Sequence, residues 1–247
     1  MIKYIESKTN KIVLETIKLK DNKYSKEKRL FIIEGFHLFS MSKNIKYIFT
    51  LNKIDNLDEN IDQYIVNEEI LRKISSNKNP QPIIAVASYL NGKIEENPNI
   101  IFYLDNVQDP GNVGTFIRSA LAFNFKNILL SYDSAFKYNL KTIQASQGSI
   151  FDSFIESTSI NKLKELKEKG YIIISTCLDK NSIKLNDFNF NKNEKYVIVF
   201  GNEGQGIREE ILSMSDKKIY INISNIDSLN ISCSASILMY VLNNSLN

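Results

Sequence analysis

The sequence predicts an α/β fold: a mostly parallel sheet covered by helices, preceded by a smaller α/β unit. Three observations predict it. Beyond residue 100, short apolar runs alternate with helix-length segments, the order that builds a parallel sheet by βαβ crossovers. The runs themselves, "IIFYL", "YIIIS" and "YVIVF" among them, are apolar at nearly every position, as strands are when helices cover both faces. Between the units, "NGKIEENPN" (residues 91–99) holds turn formers and no apolar periodicity, so it is expected as a linker between a unit of residues 1–94 and one of residues 100–247.

The first unit opens with a helix-like segment whose apolar positions are Ile12, Ile17 and Leu19. A lysine-rich loop follows, then a short strand in "RLFIIEG" and a second helix. Apolar runs at "IKYIFTL", "QYIVN" and "PIIAVASYL" complete this unit. The second unit reads strand "NIIFYLD", helix "VGTFIRSALAFN", strand "KNILLS", helices "NLKTIQASQGSI" and "NKLKELKEKG", strands "YIIISTCL" and "KYVIVF", helix "IREEILSMS", strand "KIYINI" and a closing helix "NISCSASILMYVLNNS". There are no internal repeats.

The 247 residues are 43% hydrophobic and 24% charged with 4 Pro and 9 Gly, which excludes a disordered chain. No apolar run approaches the roughly 20 residues of a membrane span, and "MIKYIESKTNK" lacks a signal peptide's apolar stretch, so a cytoplasmic location is expected. Cys177 and Cys233 lie far apart in apolar surroundings and are expected as buried thiols rather than a bridge. His37 is the only histidine, so no zinc site or other metal is expected and no second histidine can act as a base. The net charge of +3 is uneven: residues 1–29 hold nine Lys or Arg against four Asp or Glu, while residues 100–247 hold fifteen of each. That bias suits a polyanionic partner, as it suits a solvated lysine-rich face.

In an open parallel sheet, ligands bind beyond the carboxyl ends of the strands. Three loops there are unusual. In "LDNVQDPGNVGTFIRSA" (104–120), Asp109, Pro110 and Gly111 make a turn before a helix expected to begin near Val113, with Asn112 as its plain N-cap. Arg118 falls among Phe116, Ile117, Ala120 and Leu121, so its head must snorkel to solvent or enter a cleft. "FGNEGQGI" (200–207) spaces its glycines G-x-x-G-x-G, the reverse of the dinucleotide fingerprint, and its Glu203 would repel a phosphate. Taken alone, Glu203 could be a carboxylate favoured by the dipole of the "IREEIL" helix. In "INISNIDSLNISCSAS" (221–236), Ser228 or Asn230 can cap a helix whose first turns carry Ser232, Ser234 and Ser236.

Together, in order and spacing, these segments resemble the three motifs of the SpoU, or TrmH, family of RNA ribose 2′-O-methyltransferases. That family reads N-x-x-D-P-x-N-x-G-x-x-x-R-[ST]-A, then F-G-x-E-x-x-G, then I-P-M-x-G-x-x-x-S-L-N-[VI]-S; this chain has "NVQDPGNVGTFIRSA", "FGNEGQGI" and "INISNIDSLNIS". The resemblance covers residues 99–247. "KYSKEKRLFIIEGFHLF" and "NPQPIIAVA" resemble the ribosomal-protein-like substrate-binding domain that often precedes the catalytic one.

The resemblance implies a SPOUT fold, a five- or six-stranded parallel sheet tied in a deep trefoil knot, and a homodimer joined through the knotted domain. It implies S-adenosylmethionine as cofactor, held largely by main-chain groups: Gly201 would let backbone approach it, and Ile221, Ser228, Leu229 and Asn230 would line its pocket. Arg118 would match the catalytic arginine. A guanidinium keeps its proton in proteins, so activating the 2′-hydroxyl and anchoring a phosphate while stabilising the alkoxide both stay open. Asn112 would orient Arg118 or the ribose, Glu203 would hold the site's donors, and Asn230 with Ser228 and Ser232 would complete the pocket. RNA contacts would come from Lys18, Lys20, Lys23, Lys26, Lys28 and Arg29, with His37 either a contact or a surface residue. Ribosomal RNA is the expected substrate; a transfer-RNA enzyme, which would commonly lack this N-terminal domain, and a non-catalytic RNA-binding assembly factor are the alternatives. Asn222 and Ile223 replace the family's Pro and Met and the third motif is one residue shorter, so backbone geometry at the cofactor's edge is expected to differ.

Overall fold

The computed structural model describes every residue except Asn91, Asp227 and Asn247. The first unit runs β1 (Ile2–Ile5), α1 (Lys11–Lys18), α2 (Asn22–Lys28), β2 (Leu30–Glu34), α3 (Phe36–Met41), β3 (Ile45–Thr50), β4 (Asp62–Val66), α4 (Glu68–Ile74) and β5 (Ile83–Ser88). Its five strands lie in the order β1-β4-β3-β5-β2, with β5 antiparallel to both neighbours. Asn10, Asp21 and Asn67 cap their helices, accepting from the amides of Ile12, Tyr24 and Ile70.

One of those caps corrects the sequence reading. The lysine-rich stretch expected as a loop is α2, started by the Asp21 carboxylate and closed by Arg29 in the left-handed conformation (φ 54). Lysine and glutamate are good helix formers, and no apolar stripe is needed where a cap and Ser25 hold the turn.

The second unit runs β6 (Ile100–Leu104), α5 (Pro110–Ala122), β7 (Asn127–Ser131), α6 (Leu140–Ser146), β8 (Phe154–Thr158), α7 (Asn161–Glu168), β9 (Ile172–Thr176), β10 (Ile183–Lys184), β11 (Tyr196–Phe200), α8 (Glu209–Met214), β12 (Lys217–Tyr220) and α9 (Ile231–Leu246). Its sheet has seven strands, more than the five or six expected, in the order β10-β12-β9-β11-β6-β7-β8 with every pairing parallel. The added strands are edges: β10 is two residues long, and β8 buries only Ile155 and Thr158, so neither leaves an apolar run in the sequence. β11 is the centre, every residue buried, with Val197 opposite Ile101 on one side and Ile173 on the other.

One hydrophobic core spans both units, from Phe31 and Ile33 on β2 to Phe102 and Phe116. Phe31 stacks on Tyr138 with ring centroids 4.5 Å apart. The segment between the sheets is pinned: the Glu95 amide donates to Asn127 Oδ1 (2.9 Å), Asn127 Nδ2 returns a bond to Glu95 Oε2 (2.7 Å), and the Tyr171 hydroxyl donates to the Pro98 carbonyl (2.6 Å). Asn91, where that segment was expected to begin, lies outside the described residues.

Both cysteines are free thiols, but Cys233 is exposed rather than buried. On α9 the buried positions are Ile231, Ser232, Ala235, Leu238, Met239 and Leu242, and residue 233 falls on the opposite side. No helix among the described residues is long and apolar enough to cross a membrane.

Candidate active site

β6 and β11 are parallel neighbours with Leu104 opposite Phe200, so the loops leaving them start side by side. The amide of Asp105 donates to the Phe200 carbonyl at 2.8 Å. The Asp105 side chain is fully buried, and its carboxylate accepts from Nε (2.7 Å) and the backbone amide (2.9 Å) of Arg208, at the far end of the second loop. Asn202 and Gly206 exchange backbone bonds at 2.9 Å each way, and Asn202 Nδ2 donates to the Asn106 carbonyl at 2.8 Å. Asp105 and Arg208 therefore fasten the glycine loop at both ends. Neither was nominated by the sequence reading; the available signal was an acid directly after an apolar strand.

Removing that carboxylate leaves Arg208 half-solvated rather than stranded, since its side chain is 42% exposed and also meets Asp133 at 3.4 Å. Asp105→Ala is expected to cost about 2 kcal/mol, from lost charge-assisted bonds and a buried gap, with an unchanged denaturant slope in urea unfolding.

α5 begins at Pro110, not near Val113. Asp109 is its N-cap, accepting from the Asn112 amide at 2.9 Å, and Pro110 occupies the first helical position, where its missing N–H costs nothing. Asn112 is thereby released from capping. Its Nδ2 donates to Glu203 Oε1 (2.6 Å), and its Oδ1 accepts from Asn230 Nδ2 (3.0 Å). Buried Ser232 donates from Oγ to the Asn112 carbonyl (3.1 Å) and from its amide to Asn230 Oδ1 (2.9 Å), which starts α9. Ser119 and Ser236 join the same two helices at 2.8 Å. Three loops, the first 91 and 118 residues from the other two at these bonds, thus meet in one network. Glu203 lies well before α8, whose first turn holds Glu209 and Glu210, so it is not the dipole-bound carboxylate.

Arg118 stands apart. It is exposed, has no hydrogen-bond or ion-pair partner among the described residues, and lies six residues beyond Asn112, about 9 Å along the helix and on another side. The Asn112 side-chain carboxamide is committed to Glu203 and Asn230, not to Arg118.

Beside the network, a cavity of about 780 Å³ opens at the ends of β9, β11 and β12, within the range of small-molecule sites. Gly201, Glu203, Ile221, Ser228 and Leu229 line it; Asn112, Arg118, Asn230 and Ser232 do not. Among the described residues no group of three or more His, Cys, Asp or Glu could hold a metal ion.

Lys23, Lys26, Lys28 and Arg29 are exposed on α2 and its C-cap, and His37 is exposed on α3. Lys20 differs: its ammonium donates to the Ser75 carbonyl (2.7 Å), and burial pushes its pKa down, which marks a packing role. Lys18 pairs with Glu15 at 2.9 Å.

The description "SpoU rRNA Methylase family" matches residues 99–240, and "MRM3-like substrate binding domain" matches residues 10–85. The 23S rRNA (guanosine(2553)-2′-O)-methyltransferase RlmP of Bacillus subtilis is 29% identical over 250 residues, 98% of this chain and 99% of the relative. The tRNA (guanosine(18)-2′-O)-methyltransferase of Aquifex aeolicus is 33% identical over 146 residues, 58% of this chain and 67% of that one. The crystal structure of an AdoMet-bound rRNA methyltransferase from Sinorhizobium meliloti shares the fold, with a TM-score of 0.89 at 24% identity, covering 100% of this chain and 99% of that one. The first match spans more than half of the chain and contains all three strand-end loops, and the chain belongs to the SpoU rRNA methylase family of S-adenosylmethionine-dependent RNA methyltransferases.

Proposed function

We propose that the chain transfers the methyl group of S-adenosylmethionine to a ribose 2′-hydroxyl of ribosomal RNA. The observation that carries this is the bonding of Asn112, Glu203 and Asn230 across three loops beside a cavity large enough for the cofactor. Ribosomal RNA is favoured because a relative that aligns over 98% of the chain, first unit included, is named a 23S rRNA enzyme, while a relative named a tRNA enzyme aligns with 58% of the chain.

The cavity fits the donor. Ile207, Ile219, Ile221 and Leu229 offer apolar walls, Ser228 offers a hydroxyl, and the Glu203 carboxylate tolerates a cation. When bound, the cofactor supplies a methyl group activated on a sulfonium. Asn112 and Asn230 hold Glu203 and the start of α9 in fixed relation, so the ribose meets a preorganised wall rather than mobile loops. Arg118, exposed and with no partner to surrender among the described residues, is available to hold an RNA phosphate and stabilise charge developing on the 2′-oxygen.

The entry of β11 between β9 and β6, with α9 returning onto α5, supports the trefoil knot of the family. Exposed Ile237 and Tyr240 on α9 support a homodimer through this unit. Light scattering should give twice 28.4 kDa; a 28.4 kDa species alone would reject the dimer.

The exposed cations of α2 are proposed to hold RNA phosphates. Charge reversal at Lys26 and Lys28 together should weaken RNA binding and reduce the log–log salt slope by roughly 1 to 2, and an unchanged slope would remove α2 from the interface. The proposed substrate class is tested by offering labelled cofactor to separated ribosomal and transfer RNA from a strain lacking the gene. Label confined to ribosomal RNA is expected; label confined to transfer RNA would overturn the choice.

A further inference from the structure

We propose that the RNA backbone crosses the junction between the two units on a composite face, and that Lys141 is the phosphate contact delivering the strand to the Asn112 site. This rests on the reading of the chain as an RNA methyltransferase. Lys141 Nζ lies 2.7 Å from Asp109 Oδ2 in an exposed pair, while Asp109 Oδ1 caps α5 through the Asn112 amide. The pair and the cap use different oxygens, so Lys141 can exchange Asp109 for a phosphate without undoing the helix start. Its stem passes over Gly111, where an added Cβ would lie 3.1 Å from Lys141 Cε. The ammonium is therefore stationed at the turn that presents Asn112.

The same segment reaches the basic helix of the first unit. Asn139 Nδ2 approaches Asn22 Oδ1, at the start of α2, at 3.4 Å. Lys26 Nζ sits 4.9 Å from the Phe136 ring centre, and the Arg29 guanidinium 5.6 Å from that of Tyr89. Among the described residues, Lys23, Lys26 and Arg29 have no carboxylate partner. The face thus offers unpaired cations standing over half-buried rings, the combination that takes phosphates on the cations and bases on the rings of a single-stranded segment. Lys137, on the same loop, is excluded: its amine turns inward to the Ile155 carbonyl, and burial pushes its pKa down to about 8.

The test uses the full chain and ribosomal RNA from a strain lacking the gene. In Lys141→Gln, KM for RNA should rise roughly 5- to 10-fold and the log–log salt slope of binding should fall by about 1, with cofactor affinity unchanged. Lys141→Arg should restore both, which separates a charge contact from a structural role. Lys192→Gln, on an exposed loop outside both sites, should match wild type. Equal KM and slope in wild type and Lys141→Gln would overturn the contact. If wild type binds this RNA without methylating it, the methyltransferase reading fails, while the difference in slope still decides the contact.

Discussion

Arg118→Ala should lower methyl transfer at saturating RNA and cofactor by roughly 10²- to 10³-fold, the loss seen when one preorganised donor to a developing anion is removed. Folding should be untouched. The side chain is exposed and has no partner among the described residues, so truncation leaves no cavity and strands no group there, and the melting temperature should move by less than about 1 °C. Cofactor affinity should hold as well, because Arg118 does not line the cavity. Activity, melting and calorimetric cofactor binding measured on one preparation check all three. A large fall in melting temperature would make Arg118 structural, and full activity would remove it from catalysis.

Gly201→Ala should act at the opposite end of the scheme, on the cofactor. A Cβ at Gly201 would lie 2.4 Å from the Gly206 carbonyl carbon, 2.5 Å from the Ile207 nitrogen and 2.6 Å from the Gly206 oxygen. All three are backbone atoms, so no rotamer change relieves the clash and the loop must open, breaking the Asn202–Gly206 bridge. Strain of about 2 to 3 kcal/mol corresponds to a fall of roughly 5 to 10 °C in melting temperature for a chain of this size. Because Glu203 and the cavity wall move with the loop, cofactor affinity should fall roughly 30- to 100-fold. Wild-type affinity and melting would mean that the loop closes differently in solution.

The crowding at Gly201 also shows what the sequence could and could not convey. The resemblance pointed to glycine there for close approach of the cofactor; the structure adds that the loop folds back on its own backbone, which needs the same missing Cβ. Buried strands were legible because β6, β9 and β11 are apolar along most of their length. Edge strands β8 and β10 were not, since half-exposed residues carry no such run. The start of α5 was misplaced because Asn112 resembled a cap while Asp109 and Pro110 already supplied one. The network of Asn112, Glu203, Asn230 and Ser232 has no periodicity to betray it; only motif order nominated its members, and only folding brings together residues separated by 91 and 118 positions. Asp105 and Arg208 escaped because a single acid and a single arginine 103 residues apart have no local signature.

Methyl transfer by this site should fall on a ribose oxygen of RNA. The most direct measurement is the chemical position of the methyl group: wild-type protein, labelled S-adenosylmethionine and ribosomal RNA from a strain lacking the gene, followed by alkaline hydrolysis. A 2′-O-methyl blocks cleavage of the adjacent phosphodiester, so label should be retained in alkali-resistant dinucleotides and fall roughly 10²- to 10³-fold when Arg118→Ala protein is used. Label released as mononucleotides would place the methyl group on a base and rule out ribose methylation by this site.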